Sequence, residues 1–227
     1  MVLNKVLTSL AVILFTATTT LAESVVLISP RPSAEGTPIA VVWIQGANYA
    51  AGQYTQIAQQ FQLEAAAAGY KAWIGIPDFT FSTPNPLTIG NHIQTVMDKI
   101  ESSGFTGDNW FLAAHSLGGV MTQDFLVSGS TSPDASLFKG QMLMSSVLLR
   151  SRRSIQLEDG STLYDYSVPT LTLGGSKDGL MRVTRVAESY WHQETNITPE
   201  QASLFPVEML EGVAHYQFAG GVPPSFV

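Results

Sequence analysis

Short apolar runs rich in β-branched residues recur along the chain, at Val25–Ile28, Ile39–Ile44, Ala72–Ile76, Trp110–Ala114, Gln141–Met144, Thr170–Leu173 and Pro206–Leu210. Each is nearly continuous in its apolarity, which suits a strand covered on both faces. Between them lie longer stretches with helical periodicity. Gln53 to Ala68 is followed by Gly69 and Ile89 to Ser102 by Gly104, each glycine standing where a left-handed C-terminal cap falls. Thr198-Pro199-Glu200-Gln201 reads as a further helix start, with a capping threonine, a proline at the first helical position and Gln201 completing a capping box. This alternation predicts an α/β fold: a mostly parallel, doubly wound sheet with helices on both faces. The stretch Ser146 to Val168 breaks the rhythm. Its Arg150, Arg152 and Arg153, before the turn Glu158-Asp159-Gly160-Ser161, predict a solvated edge hairpin, too short for a large lid domain.

The N-terminus follows a different pattern. Lys5, an apolar stretch from Val6 to Phe15, a threonine-rich tail and the small Ala22 outline a cleavable signal peptide over residues 1–22. A transmembrane helix is the competing reading, and the Thr8, Ser9 and Thr16 to Thr20 positions interrupt it. The expectation is a single domain over 23–227, routed into the secretory pathway, with no stable membrane span after cleavage. Asn196-Ile197-Thr198 is then a glycosylation sequon, followed by a proline.

With 227 residues, 45% of them hydrophobic and only 13% charged, the chain has the composition of a folded domain. A net charge of −7 withholds the positive field that nucleic acid requires. The absence of cysteine excludes disulfides, a thiol nucleophile and thiolate metal sites. None of the four histidines pairs with another at the i, i+4 spacing of a helical zinc motif, so a metal enzyme is not expected.

The strongest chemical signal is Trp110 to Gly119, an apolar run, then Ala114-His115-Ser116-Leu117-Gly118, then a helical stretch from Val120 to Val127. A nucleophilic serine on a tight strand-to-helix turn needs small flanking residues, and Ala114 and Gly118 supply them. The helix start aims backbone N–H groups at the site, which makes the Leu117 N–H a candidate oxyanion donor. A serine that merely caps a helix is the structural alternative. Two further apolar runs end in loops that present an acid, Asp178, and an imidazole, His215. Serine oxygen is a poor nucleophile at neutral pH; His215 as base and Asp178 as its orienting acid would activate it. His115 adjoins Ser116 and is expected to point away, while His92 and His192 fall in helical patterns. The loop Gln45-Gly46-Ala47-Asn48-Tyr49 offers the Ala47 N–H as a second oxyanion donor. Gln45, Tyr49, Phe79 and Tyr216 are candidate substrate contacts, with Phe81 and Phe218 nearby; their aromatic surface suits an apolar acyl or alcohol group, and equally suits packing in the core or at the rim.

With Ala-His-Ser-Leu-Gly-Gly, Gly-Gly-Ser-Lys-Asp-Gly-Leu and Glu-Gly-Val-Ala-His-Tyr in the order Ser, Asp, His, the chain resembles the α/β-hydrolase superfamily from about residue 24 onward. Within it, the small lid is similar to that of chlorophyllase-like and dienelactone-hydrolase-like serine esterases. The resemblance implies a small-molecule carboxylic ester as substrate, an acyl-enzyme mechanism and no cofactor. Gln45 departs from the His-Gly common at that place, and only 12 residues follow His215, where the fold usually has a helix. A chain that ends early would leave an apolar flank exposed. A non-catalytic binding protein on the same fold and an acyltransferase using the same triad remain as alternatives.

Overall fold

All seven apolar runs become strands of one sheet; those at its centre bury their β-branched and aromatic residues on both faces, while the two edge strands stay partly exposed. The computed structural model describes residues 24–128, 133–153, 155–156, 162–163 and 166–221. The strands are β1 (Val25–Ile28), β2 (Thr37–Ile44), β3 (Tyr70–Pro77), β4 (Trp110–His115), β5 (Phe138–Met144), then a two-residue pair β6 (Ile155–Gln156) and β7 (Thr162–Leu163), β8 (Thr170–Gly175) and β9 (Val207–Leu210). The main sheet has the order β1-β3-β2-β4-β5-β8-β9, with β1 antiparallel to β3 and every other neighbour parallel. The helices are α1 (Thr55–Ala67), α2 (Ile89–Ser102), α3 (Leu117–Val127), α4 (Val183–Asn196) and the single turn α5 (Pro199–Ala202). The chain leaves α1 through Gly69 (φ 84°) and α2 through Gly104 (φ 102°), and the Thr198 side chain accepts from the Gln201 N–H at the start of α5.

Strand alternation sorts the core into two layers. Ala40, Val42, Ile44, Leu112, Ala114 and Leu143 face α2 and α3 through Ile93, Val96, Ile100 and Phe125. Val41, Trp43, Ile74, Ile76, Ala113 and Met144 face the opposite way, onto Tyr54 and Ala58 of the α1 side and onto Phe218. On this second face the sheet is covered less completely: Phe111, Met142, Leu171, Ile39 and Phe61 line an apolar trough of about 650 Å³. The doubly wound expectation holds, with α1 on one face and α2 and α3 on the other.

The connections set where a site can lie. From β2 the chain passes through α1 to β3 on one side; from β3 it returns through α2 to β4 on the other side of β2. The loops leaving the carboxyl ends of β2 and β4 therefore diverge onto opposite faces, opening a crevice between them.

The hairpin expectation is half right. Ile155 and Gln156 pair antiparallel with Leu163 and Thr162, while the turn Glu158–Ser161 lies outside the described residues. The arginines do not simply face water. Arg153 is only 2% exposed and donates to Glu188 of α4 at 2.8 Å, where Arg150 also binds the same carboxylate through two nitrogens at 2.7 and 2.6 Å. Arg150 and Arg153 together hold the Glu188 carboxyl down at about 2, the Arg150 hydrogen bond being the larger cause. The signal stretch 1–22 and Pro223-Pro224 also lie outside the described residues. No helix among the described residues is long and apolar enough to cross a membrane.

Candidate active site

Ser116 stands between β4 and α3 with φ 51° and ψ −122°, a backbone conformation that suits glycine and is costly for serine. The turn is held from outside. The Ser116 N–H donates to the Met144 carbonyl at 3.0 Å, and the Ser116 carbonyl accepts from the Gly119 N–H at 3.0 Å. The Ser116 hydroxyl caps no helix N–H. It lies instead 2.9 Å from His215 Nε2.

Gly118 is required by space. A Cβ there would come within 2.4 Å of the Gln45 carbonyl oxygen and 3.0 Å of the Ile44 side chain. The loop after β2 thus presses against the start of α3, and Gly46 lies so close to Ser116 that a Cβ on it would be 3.2 Å from Ser116 Cβ. Gly118→Ala is expected to lower stability by about 1–3 kcal/mol, the usual cost of overpacking, and to displace this loop. Urea unfolding would measure it; a variant as stable and as active as the parent would show the contact to be slack.

His215 is predicted on a loop; the structure places it at the head of a 3₁₀ turn, His215–Ala219, whose entry is capped by Gln217 Oε1 accepting from the Ala214 N–H at 2.7 Å. Its Nδ1 lies 3.1 Å from each oxygen of Asp178. Asp178 follows β8, one strand beyond β5, and its Oδ1 accepts from the N–H groups of Leu180 at 2.9 Å and Met181 at 2.8 Å. Burial pushes the Asp178 carboxyl up, but hydrogen bonds from His215 and Ser145 outweigh it and hold the group below the usual carboxylate range. Asp178 is therefore a fixed anion beside the imidazole. Serine, histidine and aspartate, far apart in sequence, form one continuous chain of contacts at the carboxyl edge of the sheet.

Among the described residues, five non-glycine positions have positive φ: Asn48, Phe81, Ser82, Ser116 and Ser145. They follow β2, β3, β4 and β5, so the strained backbone is gathered along this one edge. Strain of this kind, about 1–3 kcal/mol per residue, concentrates at functional sites.

Leu117, the first residue of α3, and Ala47, on the loop after β2, are both half-buried. For Tyr49 and Phe79 the structure favours the packing reading over substrate contact. Tyr49 is 2% exposed, packed edge-on to Tyr54 and His115, and Phe79 is 3% exposed, its ring 4.2 Å from that of His92. Both rings turn inward because the core, not the cleft, removes their area from water. Gln45 is fully buried as well, so its side chain offers no accessible contact. Tyr216 is half-buried against the second core layer. Exposed apolar groups include Phe81 (91%) and Leu87 (89%), on the segment after β3, and Leu180 (68%), beside Asp178; the first segment is tied to the loop after β2 by the Asn48 N–H donating to Thr83 Oγ1 at 3.2 Å.

Two residues of the site escape a sequence reading. His115 does point away from the nucleophile's open side, as expected, but it is fully buried and packs on His215 with ring centroids 4.7 Å apart. Ser145 touches both Asp178 and His215. A polar Ser145-Ser146 pair at the end of an apolar run was the only signal for it.

The sequence matches no protein-family model and no curated protein. The fold does have known counterparts. Est1E from Butyrivibrio proteoclasticus, solved with ferulic acid bound, superposes with a TM-score of 0.53 at 15% identity, covering 85% of this chain and 87% of that one. Thermogutta terrifontis esterase 2, phosphonylated by cyclosarin, gives 0.55 at 12% identity over 88% and 81%. A predicted CIB-like hydrolase from Thermoplasma acidophilum gives 0.50 at 13% over 88% and 92%. With its seven-stranded, mostly parallel sheet and a serine at the sharp turn after β4, this chain has the α/β-hydrolase fold.

Proposed function

We propose that the chain is a serine hydrolase that cleaves a small-molecule carboxylic ester through an acyl-enzyme intermediate. The observation that carries this reading is the contact chain Ser116 Oγ to His215 Nε2 at 2.9 Å and His215 Nδ1 to Asp178 at 3.1 Å. In it His215 takes the Ser116 proton as Oγ adds to the ester carbonyl. Negative charge then develops on the carbonyl oxygen, where the Leu117 and Ala47 N–H groups are the donors that would stabilise it. Collapse expels the alcohol, which receives its proton from His215. Water, deprotonated by the same imidazole, adds to the acyl-serine, and collapse releases the acid as His215 returns that proton to Ser116 Oγ. Asp178 keeps its negative charge throughout and offsets that of the imidazolium.

The structurally similar esterase 2 is phosphorylated by paraoxon, and the same chemistry supplies the test. A fluorophosphonate probe should label this protein once, on Ser116, as read by peptide mass spectrometry. A folded protein that never labels would favour a binding role without turnover. Products formed with and without an added alcohol then separate hydrolysis from acyl transfer.

For the substrate, Phe81 and Leu87 take the place first given to Tyr49 and Phe79 as the apolar groups available to an acyl or alcohol chain. Phe81→Ala is expected to raise KM for long-chain esters about tenfold, from partial loss of an aromatic contact, and to leave short-chain esters nearly unchanged. A graded chain-length series measures it; equal effects on all lengths would remove Phe81 from the binding surface.

A further inference from the structure

Ser145 is the first residue beyond β5, so its strand lies between the one that presents Ser116 and the one that presents Asp178. It is fully buried and sits at φ 48°, with its N–H donating to the Leu173 carbonyl at 2.8 Å. Glycine would relieve that backbone and an apolar residue would be cheaper to bury. Serine does neither, so its hydroxyl must be compensated by the bonds it makes.

Those bonds go to the two groups behind the nucleophile. Ser145 Oγ donates to Asp178 Oδ2, and it lies 2.5 Å from His215 Nδ1, nearer than either carboxylate oxygen at 3.1 Å. A hydroxyl has one proton and two lone pairs. An ionised carboxylate cannot donate, so the proton goes to Asp178 and a lone pair accepts the Nδ1–H. That arrangement fixes the proton on Nδ1 and leaves the Nε2 lone pair facing Ser116. It also completes the support of Asp178, whose Oδ1 is already held by two backbone N–H groups. The other titratable groups near the imidazole are His115, which packs on His215, and Tyr49, which lies within the field of Asp178. Neither carries charge at neutral pH, because burial holds the imidazole of His115 down and the phenol of Tyr49 up.

We propose that Ser145 is a fourth, positioning member of the constellation: its hydroxyl anchors the Asp178 carboxylate and shares the Nδ1 proton of His215, so that the imidazole is held with Nε2 toward Ser116. The inference rests on the hydrolase reading, and its test separates the two. Ser145→Gly removes the hydroxyl and suits the backbone at this position, so folding should be retained; Ser145→Ala removes it without changing backbone freedom.

The first readout needs no turnover. In protein carrying ring-¹⁵N histidine, the His215 Nδ1–H signal should stand at low field in the parent and be shifted or lost to exchange in both variants. The second is kinetic. With an ester substrate kcat should fall about ten- to a hundredfold, the worth of one hydrogen bond to a charged pair, with KM little changed. In an Asp178→Ala background the same replacement should add almost nothing, because the group it acts through is gone. A signal that stays in place in both variants overturns the proposal, as does a signal that moves while kcat stays within about twofold of the parent. A parent that cleaves no ester and takes no probe overturns the hydrolase reading instead, and the resonance then decides whether Ser145 shares the proton.

Discussion

Replacing Ser116 by alanine is expected to lower kcat on any ester the protein cleaves by about 10⁴- to 10⁶-fold, and His215→Ala by a similar factor. At the upper end this is about 8 kcal/mol of transition-state stabilisation, larger than any binding contact on the rim could supply. The two losses should not multiply. In the proposed mechanism the oxygen and the imidazole, 2.9 Å apart, work as one unit, so once either is removed the other has nothing to do, and the double variant should be no slower than the slower single one. Asp178→Ala should cost less, about 10⁴-fold, because the aspartate acts on the base and not on the ester. Steady-state rates of the three single variants and the double one decide the matter. A Ser116→Ala protein that retains more than about a tenth of the parental rate would place the chemistry elsewhere.

The order of those losses depends on elements of unequal legibility. The strands were easy: Ile39–Ile44 and Trp110–Ala114 are apolar runs buried on both faces, and such runs have few other places to go. The three proposed site residues were legible too, since each follows one of these strands at the edge where parallel strands deliver their loops. What the sequence could not show was lateral adjacency. Ser145 matters because β5 lies between β4 and β8, and nothing local to Met144-Ser145-Ser146 says which loops will stand beside it. Tyr49 and Phe79 are positions where the sequence leaves lining the site and packing the core equally open. Closeness in sequence to the site loops suggested a lining role, yet a ring on a short loop gains more by turning into the core, and both did so. Arg153 is a third case. A charge cluster normally faces water, but Glu188, 35 residues on, provides a partner under the surface.

His115 shows what lateral adjacency adds to energetics, and it leads to the second large effect, a loss of stability in acid. The ring is buried between Tyr54, Tyr49, Phe218 and His215. The Tyr54 hydroxyl accepts from the Gly46 N–H at 2.8 Å and donates to His115 Nδ1 at 2.7 Å. His115 Nε2, carrying the proton, donates to the His215 carbonyl at 3.2 Å. One neutral imidazole thus ties the loop beside Ser116 to the turn that presents the base. Burial, with the charge of His215 adding to it, pushes the His115 pKa down from 6.5 to about 3.

Because the folded value lies below the unfolded one, the unfolded chain takes up the proton first. The stability due to the neutral ring is whole above about pH 6.5 and is lost as pH falls toward about 3, at about 1.4 kcal/mol per pH unit and about 4–5 kcal/mol in all. Domains of this kind have only about 5–15 kcal/mol to lose. Asp178, also lowered, adds its own loss further down, as pH falls through its folded value. His115→Gln, which cannot be protonated and keeps both a donor and an acceptor, is expected to unfold in urea with a much flatter dependence between about pH 6.5 and about pH 4.5, even if it starts from a lower stability at neutral pH. In folded molecules the ring stays neutral over that range, so His115 should affect activity through the folded fraction alone until pH nears about 3, where protonation would end the acceptance from Tyr54 and loosen Gly46 next to Ser116. Parallel urea curves for parent and variant at every pH would mean that the acid sensitivity arises from other groups, and that the His115 ring is not held neutral by its surroundings.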